Sequence, residues 1–373
     1  MNCFSISRFS LVLLLIFLTG PGFSQKKPVP IKDHFKKDFL IGAAIRRNHT
    51  DGSDVKAQKL IVEQFNSISP ENDLKWGALH PKAGVYQFKY ADQYVDFGIR
   101  NGMTVIGHTL IWHSQSPEWI FKDDQGQQIG RDALLKRMQE HIETVVGRYK
   151  GKIKGWDVVN EAFNDDGSFR NTKWKTIIGE DYIEKAFEFA QKADPGCELY
   201  YNDYNLYNSA KRAGVLMLVK RLQAKHINIK AVGEQGHYHL DKPEISSIEK
   251  MLTDFKVLGA GVNFTELDID VLPRAGKEIT AEVSASAGYE SKYDPYKDGL
   301  PDSVARALAK RYQSIFNLAV KYRNMVSRIT FWGLTDGASW LNNYPVRGRT
   351  NYPLLFDRNY QMKTTVYKAI TEK

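Results

Sequence analysis

Two glutamates, Glu161 in WDVVNE (156–161) and Glu266 in TELDI (265–269), end runs that otherwise look like buried strands. A buried carboxylate is expensive unless it is paired or hydrogen-bonded. Two of them facing one another suit glycosidic cleavage. One acid protonates the leaving oxygen while the other carboxylate attacks the anomeric carbon or activates water. Carboxyls about 5–5.5 Å apart would make the second a nucleophile and retain configuration; about 6.5–9.5 Å would imply inversion, and sequence leaves that choice open. In GVNFTELDID (261–270), a period of two puts Val262, Phe264, Glu266, Asp268 and Asp270 on one face, apolar below and acidic above. Asn160 and Glu161 would lie on opposite faces of a regular strand. Both reach one ligand only where the pleat breaks at the rim.

The elements that must position these residues repeat. Strand-like runs are FLIGAAI (39–45), SISPEN (67–72), MTVIGHT (103–109), GWDVVNE (155–161), ELYYNDY (198–204), KAVGEQGH (230–237), GVNFTELDID (261–270) and RITFWGLT (328–335). Each is followed by a stretch with apolar residues at three- and four-residue intervals, the mark of a helix with one buried face. Eight strand–helix pairs in series predict a parallel sheet closed into a single (β/α)8 TIM barrel, with chemistry at the C-terminal ends of the strands. The unusual residues fall at those ends: Glu71 and Asn72, His108, Asn160 and Glu161, Tyr204, Gln235 and His237, Glu266, and Trp332. Such a crowd costs stability and calls for a ligand.

Several of these residues admit other readings. His237-x-His239, with His108 or His113, has the spacing of a metal site. ENDLKW (71–76) could be a loop salt bridge before a buried tryptophan, and Asn160-Glu161 a turn cap. Trp112, Trp332 and Trp340 sit in loops at the acidic end, where an indole face can stack on a sugar. Trp76, Trp119, Trp156 and Trp174 are expected in the core instead.

Together WDVVNE, ENDLKW, GHTLIWHSQ (107–115), YNDYN (201–205), GEQGH (233–237), TELDI and FWGL…SW (331–340) resemble glycoside hydrolase family 10, the endo-β-1,4-xylanases, in the family's order. The resemblance implies a retaining double displacement on xylan, with Glu161 as acid/base and Glu266 as nucleophile. It places Asn160 on the 2-hydroxyl of the cleaved sugar, and His237 against the nucleophile with Asp268 behind it. Glu71, Asn72 and Lys75 would bind sugars on the non-reducing side, His108 the cleaved sugar, and Tyr204 the leaving-group side. Gln235, Trp112, Trp332 and Trp340 would complete the substrate site. No cofactor and no catalytic metal is implied. A β-1,4-glucanase on the same scaffold, and a carbohydrate-binding barrel without catalysis, are the rival expectations. Two segments depart from the family pattern: a long seventh loop (273–301), and an extended link between Trp340 and PLLFD (341–357).

Composition sets the remaining bounds. In a chain of 373 residues, Arg8, the apolar run FSLVLLLIFL (9–18) and Ser24 before Gln25 read as a secretory leader, 1–24, too short in its apolar part to span a bilayer. The expected mature domain, 25–373, suits one large barrel. Export, secreted or periplasmic, follows from that leader, and no later run is long enough for a membrane helix. Cys3 leaves with the leader, so Cys197 has no partner and the fold must rest on its core. The formal charge of +9 is scattered, without a basic block interleaved with aromatics, which argues against nucleic acid. The expected partner is polysaccharide and the expected state monomeric.

Overall fold

Eight parallel strands, buried on both faces, close into a ring wrapped by helices that each bury one face. The computed structural model describes residues 28–274 and 288–372. The expected leader, 1–24, and part of the long seventh loop lie outside the described residues. The strands are β1 (Leu40–Ile45), β2 (Ser67–Pro70), β3 (Thr104–Trp112), β4 (Gly155–Asn160), β5 (Glu198–Asp203), β6 (Ile229–Glu234), β7 (Gly261–Asp270) and β8 (Arg328–Phe331). Each pairs in parallel with the next, and β1 with β8 completes the closed TIM barrel. A three-residue strand, His237–His239, continues β6 after a break and pairs with the upper part of β7.

Among the described residues, the helices of eight or more residues that follow the strands are α1 (Val55–Gln64), α2 (Lys89–Arg100), α3 (Arg131–Arg148), α4 (Tyr182–Ala193), α5 (Ser209–Ala224), α6 (Ile245–Val257), α7 (Asp302–Lys321) and α8 (Thr364–Thr371). Two of them start on a side-chain cap: Asp54 Oδ1 accepts the Ala57 amide at 2.9 Å, and Asn208 Oδ1 the Ala210 amide at 3.0 Å. Their apolar faces (Ile61, Val95, Ile142, Phe187, Leu222, Phe255, Phe316) form one continuous core with the outer faces of the strands. Each such side chain contributes about 1.5–3 kcal/mol by leaving water. Trp76, Trp156 and Trp174 are buried in that core, and Trp119 packs half-buried against it. Gly107 is obligatory beside Trp156, because a Cβ there would stand 2.1 Å from the indole.

The barrel interior is a separate, mostly polar layer. Ile106, Tyr200 and Ala231 form its small apolar cluster, with the Arg328 guanidinium 5.6 Å from the Tyr200 ring. Here simple alternation along β7 fails. Val262 and Phe264 face the outer core, not the interior, while Gly261 lies against Ala231 and Thr265 donates inward to Asn202. The register with β8 then slips between Phe264 and Leu267. That irregularity turns Glu266 to the same side as Thr265, so the nucleophile candidate reaches the mouth through a bulge.

Candidate active site

At the C-terminal mouth, one cleft is lined by Glu71, Asn72, Lys75, His108, Trp112, Asn160, Glu161, Tyr204, Gln235, His237, Glu266, Trp332 and Trp340, with Gln115 added. Every residue expected to act in catalysis or bind substrate therefore lines it except Asp268, which is fully buried behind His237. His239 turns away into a small neighbouring pocket with Lys242 and Arg274. Among the described residues, no group of three or more His, Cys, Asp or Glu side chains could hold a metal ion.

Backbone geometry brings Asn160 and Glu161 to one side. β4 ends at Asn160, and Glu161 adopts φ +57°, a left-handed conformation uncommon outside glycine. The Glu161 amide donates to the Asn202 carbonyl at 2.9 Å and holds the turn. This is the expected break in the pleat. It costs on the order of 1 kcal/mol and marks a position where surrounding structure overrides local preference.

Glu161 is 6% exposed. Its Oε2 accepts from Trp112 Nε1 at 2.8 Å, and its Oε1 from Gln235 Nε2 at 2.8 Å and Asn160 Nδ2 at 3.1 Å. Burial raises its pKa, and the charges of Asp203 and Glu266 push the same way, against the donors Gln235 and Trp112. Glu266 is as deeply placed, yet its pKa is lowered. Burial opposes the charged form there. The hydrogen bond from His237, the positive fields of His108 and His237, and a hydrogen bond from Asn202 together outweigh it.

His237 stands between two carboxylates. Its Nε2 is 3.2 Å from Glu266 Oε2 and its Nδ1 is 2.9 Å from Asp268 Oδ1. Burial disfavours its charge, but Asp268 and Glu266 raise its pKa to about 10, so the ring is an imidazolium donating from both nitrogens. Trp340 Nε1 donates to the other Asp268 oxygen at 2.7 Å. Asn202, which sequence reading passed over, ties the two halves together. Its Nδ2 donates to Glu266 Oε1 at 2.8 Å and to Asn160 Oδ1 at 2.9 Å, while its Oδ1 accepts from Thr265 at 2.6 Å.

The opposite wall is built from β2 and β3. Lys75 is buried among Glu71, Glu161 and Glu266; burial lowers its pKa against their attraction. Its ammonium donates to Asn72 Oδ1 at 3.2 Å and lies 4.8 Å from the Trp112 ring. Arg46, also missed, donates to Glu71 Oε2 at 2.6 Å and to the Ala338 carbonyl. His108 Nδ1 is 2.9 Å from Asp157 Oδ2 at the floor. Beside Glu161, Arg170 donates to the Glu161 carbonyl at 3.0 Å and to the Tyr204 hydroxyl at 2.9 Å. A cleft holding one carboxyl whose pKa is raised, one whose pKa is lowered, and three indoles in its lining has the parts needed to protonate an acetal oxygen and present an anion to its carbon.

Comparison with known proteins points the same way. The family model described as glycosyl hydrolase family 10 matches residues 30–373. The endo-1,4-beta-xylanase A of Xylanibacter ruminicola is 43% identical over 365 residues, which covers 98% of each chain. The beta-1,4-xylanase of Dictyoglomus thermophilum is 39% identical over 372 residues, covering 97% of this chain and 98% of its own. Among solved structures, a GH10 endoxylanase retrieved from a sugarcane soil metagenome superposes with a TM-score of 0.89 at 43% identity, over 92% of this chain and 100% of that one.

Proposed function

Because the chain belongs to glycosyl hydrolase family 10, we propose that Glu161 is the general acid/base and Glu266 the nucleophile of its reaction. The protein is an endo-1,4-beta-xylanase that hydrolyses internal xylosidic bonds with retention. The opposite pKa shifts of two carboxyls in one cleft carry the assignment. In the first step Glu266 forms a bond to C1 of the bound xylose, the glycosidic C1–O bond breaks, and the Glu161 proton goes to the departing oxygen. Esterified Glu266 no longer carries charge. One of the influences holding the Glu161 pKa up is thereby removed, so the Glu161 carboxylate is suited to take a proton from water. That water attacks C1 and releases Glu266.

Asn160 would hold the 2-hydroxyl of the cleaved sugar, in a contact that strengthens as positive charge develops at C1. His237 and Asp268 keep Glu266 ionised. Glu71, Asn72 and Lys75 bind the sugars on the non-reducing side, His108 the cleaved sugar, and Tyr204 the leaving-group side. Gln235 orients Glu161, and Trp112, Trp332 and Trp340 wall the cleft. A glucose unit adds a C5 hydroxymethyl group, which the Trp332–Trp340 wall would crowd. Hydrolysis of an aryl xylobioside should therefore exceed that of the cellobioside, and the reverse order would overturn this assignment of the wall. Glu266→Gln should abolish turnover while xylo-oligosaccharides still bind. A variant that hydrolyses xylan like the parent would remove Glu266 from the reaction.

The leader-like segment 1–24 supports export, with cleavage after Ser24 giving a monomeric enzyme acting on xylan outside the cytoplasm. N-terminal sequencing of the secreted form should begin at Gln25. No described helix is long and apolar enough to cross a membrane.

A further inference from the structure

The two segments that depart from the family pattern interlock in their described parts. The Thr350 amide donates to Asp294 Oδ1 at 2.8 Å, and the Tyr352 hydroxyl to the Tyr296 carbonyl at 2.8 Å. Arg349, 3% exposed, donates to the carbonyls of Tyr344 at 2.8 Å and Leu341 at 3.2 Å, and lies 3.5 Å from Asp270 Oδ2. Asn351 donates to the other Asp270 oxygen at 2.7 Å. Asp270 is the last residue of β7, the strand carrying Glu266. The extended link is thus fastened to the catalytic strand by two buried side chains rather than left as a surface loop.

That fastening delivers one aromatic ring. Tyr344 is 8% exposed and stacks on Trp340, with centroids 5.0 Å apart and planes 17° apart. Trp340 in turn lines the cleft, meets the His237 ring edge-on at 4.9 Å, and donates its indole N–H to Asp268. The indole serves a sugar-facing surface and a hydrogen bond at once, and the plane of its ring sets the sugar-facing surface. We propose that Tyr344, clamped by Arg349, is a positioning residue that fixes the plane of Trp340 for substrate binding. This rests on the reading of Trp340 as a wall of the xylan cleft.

A double-mutant cycle tests it on the full-length enzyme, with xylotetraose as substrate and thermal unfolding as the folding control. Tyr344→Ala should raise KM about three- to tenfold, the range expected for losing one aromatic pair, with kcat changed less than about twofold. Tyr344→Phe keeps the ring and should restore the parent KM. Tyr344→Leu, which retains buried bulk, should show the KM defect even where the alanine variant fails to fold. In a Trp340→Ala background, the change at position 344 should add less than about twofold. Retention of its full factor there, a parent-like KM for Tyr344→Leu, or no rescue by phenylalanine would each overturn the proposal. A parent-like KM for Trp340→Ala would instead defeat the reading of Trp340 on which it rests.

Discussion

Replacing Asn202 with alanine perturbs the proposed catalytic pair while leaving both glutamates in place. Asn202 is fully buried, and its amide donates to Glu266 Oε1 at 2.8 Å and to Asn160 Oδ1 at 2.9 Å. A hydrogen bond to an ionised group is worth about 1.5–3 kcal/mol, and one pKa unit corresponds to about 1.4 kcal/mol. Its loss should therefore raise the Glu266 pKa by about 1–2 units. His237 remains at 3.2 Å and continues to favour the charged form of Glu266. Because Glu266, as the proposed nucleophile, must be ionised to attack, a higher pKa moves the acidic limb of the pH profile to higher pH. The basic limb, set by Glu161, should move far less. The assay is kcat/KM for an aryl xylobioside from pH 3 to 9, with thermal unfolding to verify folding. Near neutral pH, a further loss of about tenfold is expected from the freed Asn160 amide. Asn202→Asp should shift the acidic limb further still, because like charges in contact resist joint ionisation. A folded Asn202→Ala enzyme whose acidic limb stays within about 0.3 units of the parent would refute the reasoning.

Three other outcomes follow from the geometry. Trp112→Phe removes the 2.8 Å donor that favours ionised Glu161, so the basic limb of kcat/KM should move up by as much as about one unit; a downward move would contradict this. Lys211 and Asp203 form a fully buried pair at 2.8 Å, and Lys211→Ala should cost about 3–5 kcal/mol in denaturant unfolding because Asp203 loses its cation. His80 is buried and its pKa is lowered from 6.5 to about 4 by burial, so the unfolded chain binds the extra proton between those values. Its contribution is intact above pH 6.5 and falls as pH drops towards 4, by about 3 kcal/mol at most. Glu234, raised to about 7 by burial, acts in the opposite sense, losing stability as pH rises from 4.5 to 7. The His80 term is therefore read as the difference in acid sensitivity between the parent and His80→Phe, which should be the flatter of the two.

The barrel and most of its cleft were legible in sequence because short β-rich runs and period-3.6 helical patterns are local signals, and because strand ends in this architecture converge. Glu161 beside Asn160 even signalled its own break in the pleat, and the φ of +57° is that break. Three features were not legible. The slip in β7 depends on the register with β8, a non-local property, so extrapolated alternation put Val262 and Phe264 on the wrong side. Asn202 shares a strand face with Tyr204 by alternation, which could have found it, but an amide in a strand carries no chemical signature until its partners are known. Arg46 follows the end of β1, a position that the strand-end rule would have flagged, yet its role depends on Ala338, almost three hundred residues later. Proximity of that kind exists only after the ring closes.

The central claim is that Glu161 and Glu266 straddle a single anomeric carbon and that Glu266 bonds to it. Incubation with an activated 2-deoxy-2-fluoro-xylobioside, followed by peptide mass spectrometry, reads this directly. One sugar should be found, on the peptide containing TELDI and on Glu266 within it, with Glu161 unmodified. A label on any other carboxylate would contradict the account.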